Sequence, residues 1–588
     1  MRDVTESVRI LRAGLPLAAY PDRVTDDLAR WAQATPHAPY LAERDGAAWR
    51  TISFAAMHER VRRTAAGLLA VGGTSGAPVA IVANNGIEHA VVSLAAMYAG
   101  IPVSSLSTNY ARPDADPARL RALLDVLRPC AAFVPDAGAA SRVALADPAL
   151  AILRDARALE CDPAAADGAQ AAVGPDTIAK VLFTSGSTGT PKGVITTHRM
   201  LCANQTMVAQ VWPAAVESPV LVDWAPWSHT AAGNKIFGIA LRHGGTFYVD
   251  GGKPLPGAID VTLRNLREIA PTFYFNVPRG WALLADAFES DEMLARTFFA
   301  RVRVLLNAGA SLPEPLRRRI ASLARTYGGR DIPVVSSWGT TETAPMATAI
   351  WGARPAEPET IGTPVPGVEI KLAPVGDRFE MRVRGVTVTP GYWRDPQATS
   401  AAFDEDGFYR TGDAAHLFDN GDPSRGLVFD GRLGENFKLS TGTWVNAGAV
   451  RLALLEAGAP LIEDVVLAGL DRDELGALIF VAPDVRAGAT APRDERVDGA
   501  VAQDERAGAA VAHELHAIIE RYNVRHTTTS MRIARALVMP NAPNAAAGEI
   551  TDKGSVNQRR VLANRANDVA RLFAEPLDPD VLVFPSQS

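Results

Sequence analysis

The chain has 588 residues, of which 47% are hydrophobic and 21% charged, with a formal net charge of −6. That length exceeds what a single hydrophobic core serves, so several domain-sized units are expected. The mild acidity offers no electrostatic footprint for nucleic acid, and no apolar run reaches the ~18 residues of a membrane span, so neither partner is expected.

In chain order, residues 1–45 read as an irregular lead-in with one amphipathic helix near 23–33. The stretch is charged from Arg2 and lacks the apolar core of a signal peptide. A strand-and-turn pattern at 49–54 precedes apolar positions at helical spacing over 57–69. Then come an apolar strand at 78–83, a helix at 88–98, a strand at 101–103, a helix at 118–127 and a strand at 131–134. Strands that are apolar throughout and alternate with helices indicate parallel sheets covered on both faces.

Val181-Leu182-Phe183 ends a further buried strand and leads into TSGSTGTPKG, Thr184 to Gly193. Glycines let backbone N–H groups approach an anion, hydroxyls add donors, and Lys192 supplies charge, so the segment is a phosphate-binding loop leaving a sheet edge. The strand before it and Pro191-Lys192-Gly193 after it argue against a flexible linker. A Walker loop needs Gly-Lys-Ser/Thr running into a helix, and here a proline precedes the lysine. Beyond it the pattern gives a helix at 200–210, a strand at 220–224, a helix at 234–241 and a strand at 246–249. From about 355 to 430, short strands with Pro-Gly and Asp-Gly turns form a small β-rich unit. After Gly431 the remainder suffices for a separate small α/β domain. Within it RDERVDGAVA (493–502) and QDERAGAAVA (503–512) form an imperfect duplication, read as a solvated insertion or an extended surface helix without chemistry.

Only seven of the 59 basic residues are lysines, so a lysine inside a motif is informative. Three cysteines, Cys130, Cys161 and Cys202, have no metal-ligand spacing and cannot all pair. Each is expected as a small buried hydrophobe in a reduced, cytoplasmic setting. Four further segments carry potential chemistry. Ser336-Ser337-Trp338-Gly339-Thr340-Thr341-Glu342 follows an apolar strand; alone, Thr-Thr-Glu also reads as a helix N-cap. Tyr409-Arg410-Thr411-Gly412-Asp413 contains an Asp that otherwise forms a turn. Asn307-Ala308-Gly309-Ala310-Ser311 is a small-residue loop, and Lys553 in GEITDKGSVNQRRVL is the only lysine after Lys438, otherwise a solvent-exposed side chain.

Together these segments resemble, in content and order, the adenylate-forming superfamily of acyl- and aryl-CoA synthetases, luciferases and adenylation domains of peptide synthetases. The resemblance implies an α/β protein: a large N-terminal AMP-binding domain, 1–433, of two doubly wound α/β subdomains plus a small distorted β-barrel (about 355–430), and a smaller mobile C-terminal α/β lid, 434–588. It implies ATP and CoA as substrates with Mg²⁺. Thr184, Ser185, Gly186, Ser187, Thr188, Gly189 and Lys192 would hold phosphates, with Gly309 and Ala310 lining adenine, Trp338 stacking on it and Gly339 following in the same nucleotide-binding motif. Thr341 would bond the α-phosphate, Glu342 would hold Mg²⁺, Asp413 the ribose hydroxyls, and Arg432 the nucleotide. Lys553 would neutralise the carboxylate attacking the α-phosphate, Lys438 and Gly442 would serve the CoA step, and Gly434 would be the hinge, where glycine offers conformational freedom.

The closer resemblance is to bacterial feruloyl-CoA synthases, carried by LFTSGSTGTPKGV, MLCANQ, LVDWAPW, FNVPRG, FKLSTGTWV and GEITDKGSVNQR. It implies a carboxylic acid–CoA ligase acting through acyl-AMP on an aryl or hydroxycinnamic acid such as ferulate. His229, otherwise an ordinary buried histidine, would be the gating ring of an acyl pocket bordered by Ala231, Ala232, Gly233 and Asn234. The two alanines, where relatives have bulkier residues, and Lys235 imply a differently shaped or more polar pocket. Trp444 stands where plant coumarate ligases have Gln, so that contact is not transferred. The alternative is an acyl-AMP ligase that loads a separate carrier protein with a different acid; a nucleotide- or acyl-binding regulator is the non-enzymatic alternative.

Overall fold

The computed structural model describes residues 9–184, 191–255, 257–351, 357, 360–376, 378–458, 461–481, 498–544, 547–550 and 556–585, the side chains of 498–509 excepted. It divides into two compact units, the first comprising residues up to 411 with 416–429, the second Gly412–Ala415 with 430 onward.

The first unit contains a six-stranded sheet in the order Ala151–Leu153, Ala131–Phe133, Val79–Ile81, Val103–Ser105, Ile178–Thr184, Lys192–Thr197. All neighbours are parallel except the last pair, which is antiparallel. The strands are apolar on both faces because helices cover both. Helix Phe54–Ala70 starts where the Ser53 hydroxyl accepts from Ala56 N, and Pro117–Leu127 starts at Asp116 with proline in its first turn.

Two further sheets run in the orders Val220–Asp223, Thr246–Val249, Pro39–Asp45, Ala48–Ser53 and Phe273–Asn276, Val304–Asn307, Val334–Trp338, Thr348–Ala349, Thr363–Pro364. Thr272 joins them, its N–H donating to Val220 O at 2.9 Å and its hydroxyl accepting from Val220 N at 2.9 Å. Trp281, Phe288, Phe298 and Phe299 fill the core beside the second of these sheets. A five-stranded sheet of Arg9–Arg12, Val368–Val375, Arg378–Gly385, Tyr409–Leu417 and Leu427–Arg432 is the β-rich unit expected over 355–430. The lead-in is more regular than expected, since Arg9–Arg12 pairs antiparallel with Val368–Val375 and Pro39–Asp45 is a central strand.

The second unit is built on the sheet Ile462–Ala468, Leu475–Val481, Ile533–Val538, Val581–Val583, whose middle pair is parallel and whose outer pairs are antiparallel. Helices Ala447–Gly458 and Asp498–Arg525 pack through a shared apolar cluster that includes Val450, Leu454, Leu515 and Ile519. The duplicated segment thus lies in a long helix from 498 onward; 493–497 fall outside the described residues. No described helix is long and apolar enough to cross a membrane. Of the cysteines, Cys202 is buried, whereas Cys130 is half-buried and Cys161 exposed, so the expectation of three buried thiols holds for one.

Candidate active site

Thr184 and Lys192 are partners across the antiparallel pair Ile178–Thr184 and Lys192–Thr197. The reading of a loop leaving the edge of a parallel sheet is corrected by this geometry: the two ends of the segment meet, and the chain returns as a strand. Ser185, Gly186, Ser187, Thr188 and Gly189 lie outside the described residues. A side chain at Gly193 would place its Cβ 2.8 Å from Val181 Cγ1 and 3.2 Å from Trp393 Cβ, so the returning strand is packed too closely for one.

The segment 389–393 lies against that strand. Ile195 N donates to Gly391 O at 3.1 Å and Trp393 N to Gly193 O at 2.7 Å. This register brings Lys192 Nζ to 5.1 Å from the centre of the Tyr392 ring, a cation–π distance. The Tyr392 hydroxyl donates to Glu342 Oε1 at 3.1 Å and lies 3.5 Å from the Tyr409 hydroxyl. Burial, then the Glu342 charge, pushes both phenols above their ordinary range, so they stay protonated at neutral pH.

Glu342 is 7% exposed. It reaches this position because strand Val334–Trp338 ends in a turn that only glycine permits: a Cβ on Gly339 would lie 1.5 Å from Pro345 O. Thr340 then starts a single 3₁₀ turn, Thr341–Thr343, with Thr340 N donating to Thr343 Oγ1 at 2.9 Å. The α-helix that Thr-Thr-Glu would cap is therefore replaced by this turn. Thr389 holds it down, its N donating to Glu342 O at 2.8 Å and its hydroxyl to Ile195 O at 2.7 Å. The Glu342 carboxylate forms no ion pair among the described residues, and no group of three or more metal-ligating side chains occurs among them. A carboxylate without an ion pair among the described residues suits a hard cation that takes its other ligands from phosphate and water. Gly309, at φ +90°, and Ala310 are exposed just beyond strand Val304–Asn307, where Asn307 Nδ2 donates to Ala310 O at 2.8 Å.

Near His229 the structure departs from the expected helix at 234–241. Gly233 N donates to His229 O at 2.7 Å, and Ala231–Ile236 form a π-helical turn that passes into an α-helix at Phe237. A Cβ on Gly233 would lie 2.2 Å from Trp227 O. The turn is gripped from several sides: Lys180 Nζ donates to Gly233 O at 2.6 Å, Gln205 Nε2 to Lys235 O at 3.0 Å, and Asn234 Nδ2 to Thr230 Oγ1 at 3.1 Å. Lys235 Nζ donates to Ser337 Oγ at 2.8 Å and lies 5.7 Å from the Trp212 ring. Desolvation lowers the Lys180 ammonium to about 8 and that of Lys235 to about 7.

In the second unit, the buried Asp413 carboxylate lies 3.3 Å from Arg432 Nε, with the arginine mostly exposed. Gly431, at φ +81°, could not carry a side chain without meeting Asn446 Oδ1 at 2.7 Å. Lys438 Nζ lies 4.9 Å from the Trp444 ring across a two-residue hairpin ladder, and Gly442 turns that hairpin at φ +81°. Gly434 O accepts from Arg559 Nη2 at 2.9 Å. Its φ lies outside the left-handed region, so its present conformation does not require glycine. Lys553 lies outside the described residues.

Of the residues singled out from sequence, the fold brings Lys192 and Glu342 to Tyr392. Tyr392, Tyr409 and Lys180, which contact these segments, are not singled out as site residues by the sequence. Lysine scarcity is the one signal that marks Lys180, whereas Tyr392 stands in what reads as an ordinary Pro-Gly turn.

Residues 28–393 match the family described as AMP-binding enzyme, and 435–576 match the AMP-binding enzyme C-terminal domain. A feruloyl-CoA synthase of Amycolatopsis sp is 30% identical over 400 residues, covering 67% of this chain and 76% of the relative. A sulfoacetate–CoA ligase of Cupriavidus necator is 30% identical over 408 residues, covering 66% and 74%. The crystal structure of ATP-bound MatB from Rhodopseudomonas palustris superposes with a TM-score of 0.67 at 22% identity, over 93% of this chain and 99% of that one, and shares the fold. The chain therefore belongs to the AMP-binding enzyme family, as an AMP-forming acyl-CoA synthetase that joins an acid to CoA through an adenylate.

Proposed function

We propose that the acid is an aryl or hydroxycinnamic acid such as ferulate, and that the residues around Tyr392 hold the triphosphate for its activation. The observation that carries this reading is the convergence of Lys192, Tyr392 and Glu342: a cation for phosphate and a carboxylate for a metal share one aromatic neighbour. In the first step a carboxylate oxygen of the acid attacks the α-phosphorus of ATP, the bond to the bridging oxygen breaks, and pyrophosphate leaves. Lys192 and the hydroxyls of the Thr184 segment hold phosphate oxygens. Thr341 bonds the α-phosphate, Trp338 stacks on adenine beside Gly309 and Ala310, and Asp413 with Arg432 receives the ribose. Glu342 holds Mg²⁺, which when bound supplies positive charge to the polyphosphate. Lys553 offsets charge at the attacking carboxylate. In the second step the CoA thiolate attacks the acyl carbonyl and AMP departs, with Lys438 and Gly442 serving that step and Gly434 giving the chain its pivot.

Support for an aryl or hydroxycinnamic acid comes from the small residues Ala231, Ala232 and Gly233 on a π-helical turn, which leave room for a ring, and from the 30% identity to a feruloyl-CoA synthase. The test is substrate-dependent ATP–pyrophosphate exchange over hydroxycinnamates, benzoates and short aliphatic acids, followed by thioester yield with CoA and with a phosphopantetheinylated carrier protein. Exchange with a hydroxycinnamate and thioester on CoA are expected. Exchange with no acid would overturn the reading, and thioester on the carrier alone would move the enzyme to carrier loading.

A further inference from the structure

Lys235 is only 3% exposed, and among the described residues no carboxylate lies within ion-pair distance of it. Its one hydrogen bond goes to the neutral hydroxyl of Ser337, which leaves two of three N–H donors to the Trp212 ring face or to nothing. A buried ammonium in that state is costly unless an anion accompanies it. The placement says where the anion would come from. Lys235 sits on the same π-helical turn as Ala231 and Ala232, and Ser337 immediately precedes Trp338 on the strand that ends at the Glu342 turn. The turn itself is fixed by Lys180 and Gln205, so the Lys235 ammonium is not needed to hold it.

We propose that Lys235, with Ser337, is the far wall of the acid pocket and selects acids bearing a second negatively charged group, carboxylate or sulfonate, remote from the carboxylate that is activated. The proposal rests on the ligase reading above and sharpens its substrate class. The remote anion accepts from the Lys235 ammonium and the Ser337 hydroxyl, so the charge that is uncompensated in the free enzyme is paired in the complex. Ala231 and Ala232 leave the space between the two ends to the substrate's own carbon frame.

The test uses matched pairs in ATP–pyrophosphate exchange: cinnamate against 4-carboxycinnamate, and propionate against succinate and 3-sulfopropionate. The wild-type enzyme is expected to favour at least one doubly charged acid over its singly charged partner by about a hundredfold in kcat/KM. In Lys235→Met that preference falls to unity or below through KM; Lys235→Arg restores part of the preference. A merely structural Lys235 would lower exchange with both members of a pair alike, and that result overturns the proposal. Equal or better use of the singly charged acids by the wild type also overturns it while leaving the ligase reading intact. Absence of exchange with every acid overturns both.

Discussion

The Tyr392 hydroxyl donates to Glu342 Oε1 at 3.1 Å, although 50 residues separate the two in sequence. The bond orients the Glu342 carboxylate, and the same ring lies under Lys192. Tyr392→Phe keeps the ring and removes the donor. The hydrogen bond to a charged acceptor is worth about 1.5–3 kcal/mol, so the apparent affinity for Mg²⁺·ATP should fall by roughly ten- to a hundredfold. Exchange measured across a magnesium titration reads this directly, and thermal melting should stay near wild type. An unchanged magnesium dependence would remove Tyr392 from the nucleotide site.

Gly339 carries a stricter requirement. Its added Cβ would meet Pro345 O at 1.5 Å, and backbone cannot yield as a flexible side chain does. Gly339→Ala should therefore displace the Thr341–Thr343 turn and cost more than ~2 kcal/mol. A lower melting temperature together with loss of exchange is the expected outcome. Gly442→Ala, where nothing lies within 4 Å of the new Cβ, should strain the hairpin only through its positive φ and cost less, about 1 kcal/mol. Equal effects of the two substitutions would contradict the packing argument.

Much of this architecture is legible in the sequence, and the exceptions share a physical cause. Apolar strands alternating with helices give the parallel sheet around Val79–Ile81 and Val103–Ser105 because covered strands leave that signature. The returning strand Lys192–Thr197 escapes notice because glycine, lysine and threonines at its start and end resemble loop. One π-helical turn at Ala231–Ile236 is too short to alter the hydrophobic period. The contacts that complete the site, Tyr392 with Glu342 and Lys235 with Ser337, are long-range pairings that local pattern does not encode. Lys553, singled out by its sequence context, lies outside the described residues.

The buried lysines give a stability signature with a definite sign. Desolvation lowers the Lys235 ammonium to about 7 and that of Lys180 to about 8 in the folded protein, both below the ordinary 10.5 of an unfolded lysine. The unfolded chain then binds more protons than the folded one between those values, so stability rises as pH rises from about 7 toward 10.5. The destabilisation is fully present below the folded values and is relieved above them. Lys235→Met should remove its share, on the order of a few kcal/mol. Against wild type, the variant should therefore melt higher at pH 7, and the gap should shrink toward pH 10. A constant gap across that range would mean that the ammonium is not desolvated.

Lys553 separates the two half-reactions. The role proposed for it is to offset charge while the acid's carboxylate attacks phosphorus, a need that ends once the adenylate exists. Lys553→Ala should reduce substrate-dependent pyrophosphate exchange by at least about a hundredfold. Thioester formation from supplied acyl-AMP and CoA should stay within a fewfold of wild type, because that step breaks the acyl–phosphate bond without needing the cation at the acid. Lys438→Ala should show the reverse split if its exposed ammonium beside Trp444 serves the thiol step. Single-turnover measurements of AMP release and thioester yield distinguish the two, and parallel loss of both activities in Lys553→Ala would assign that lysine to folding or to nucleotide retention instead.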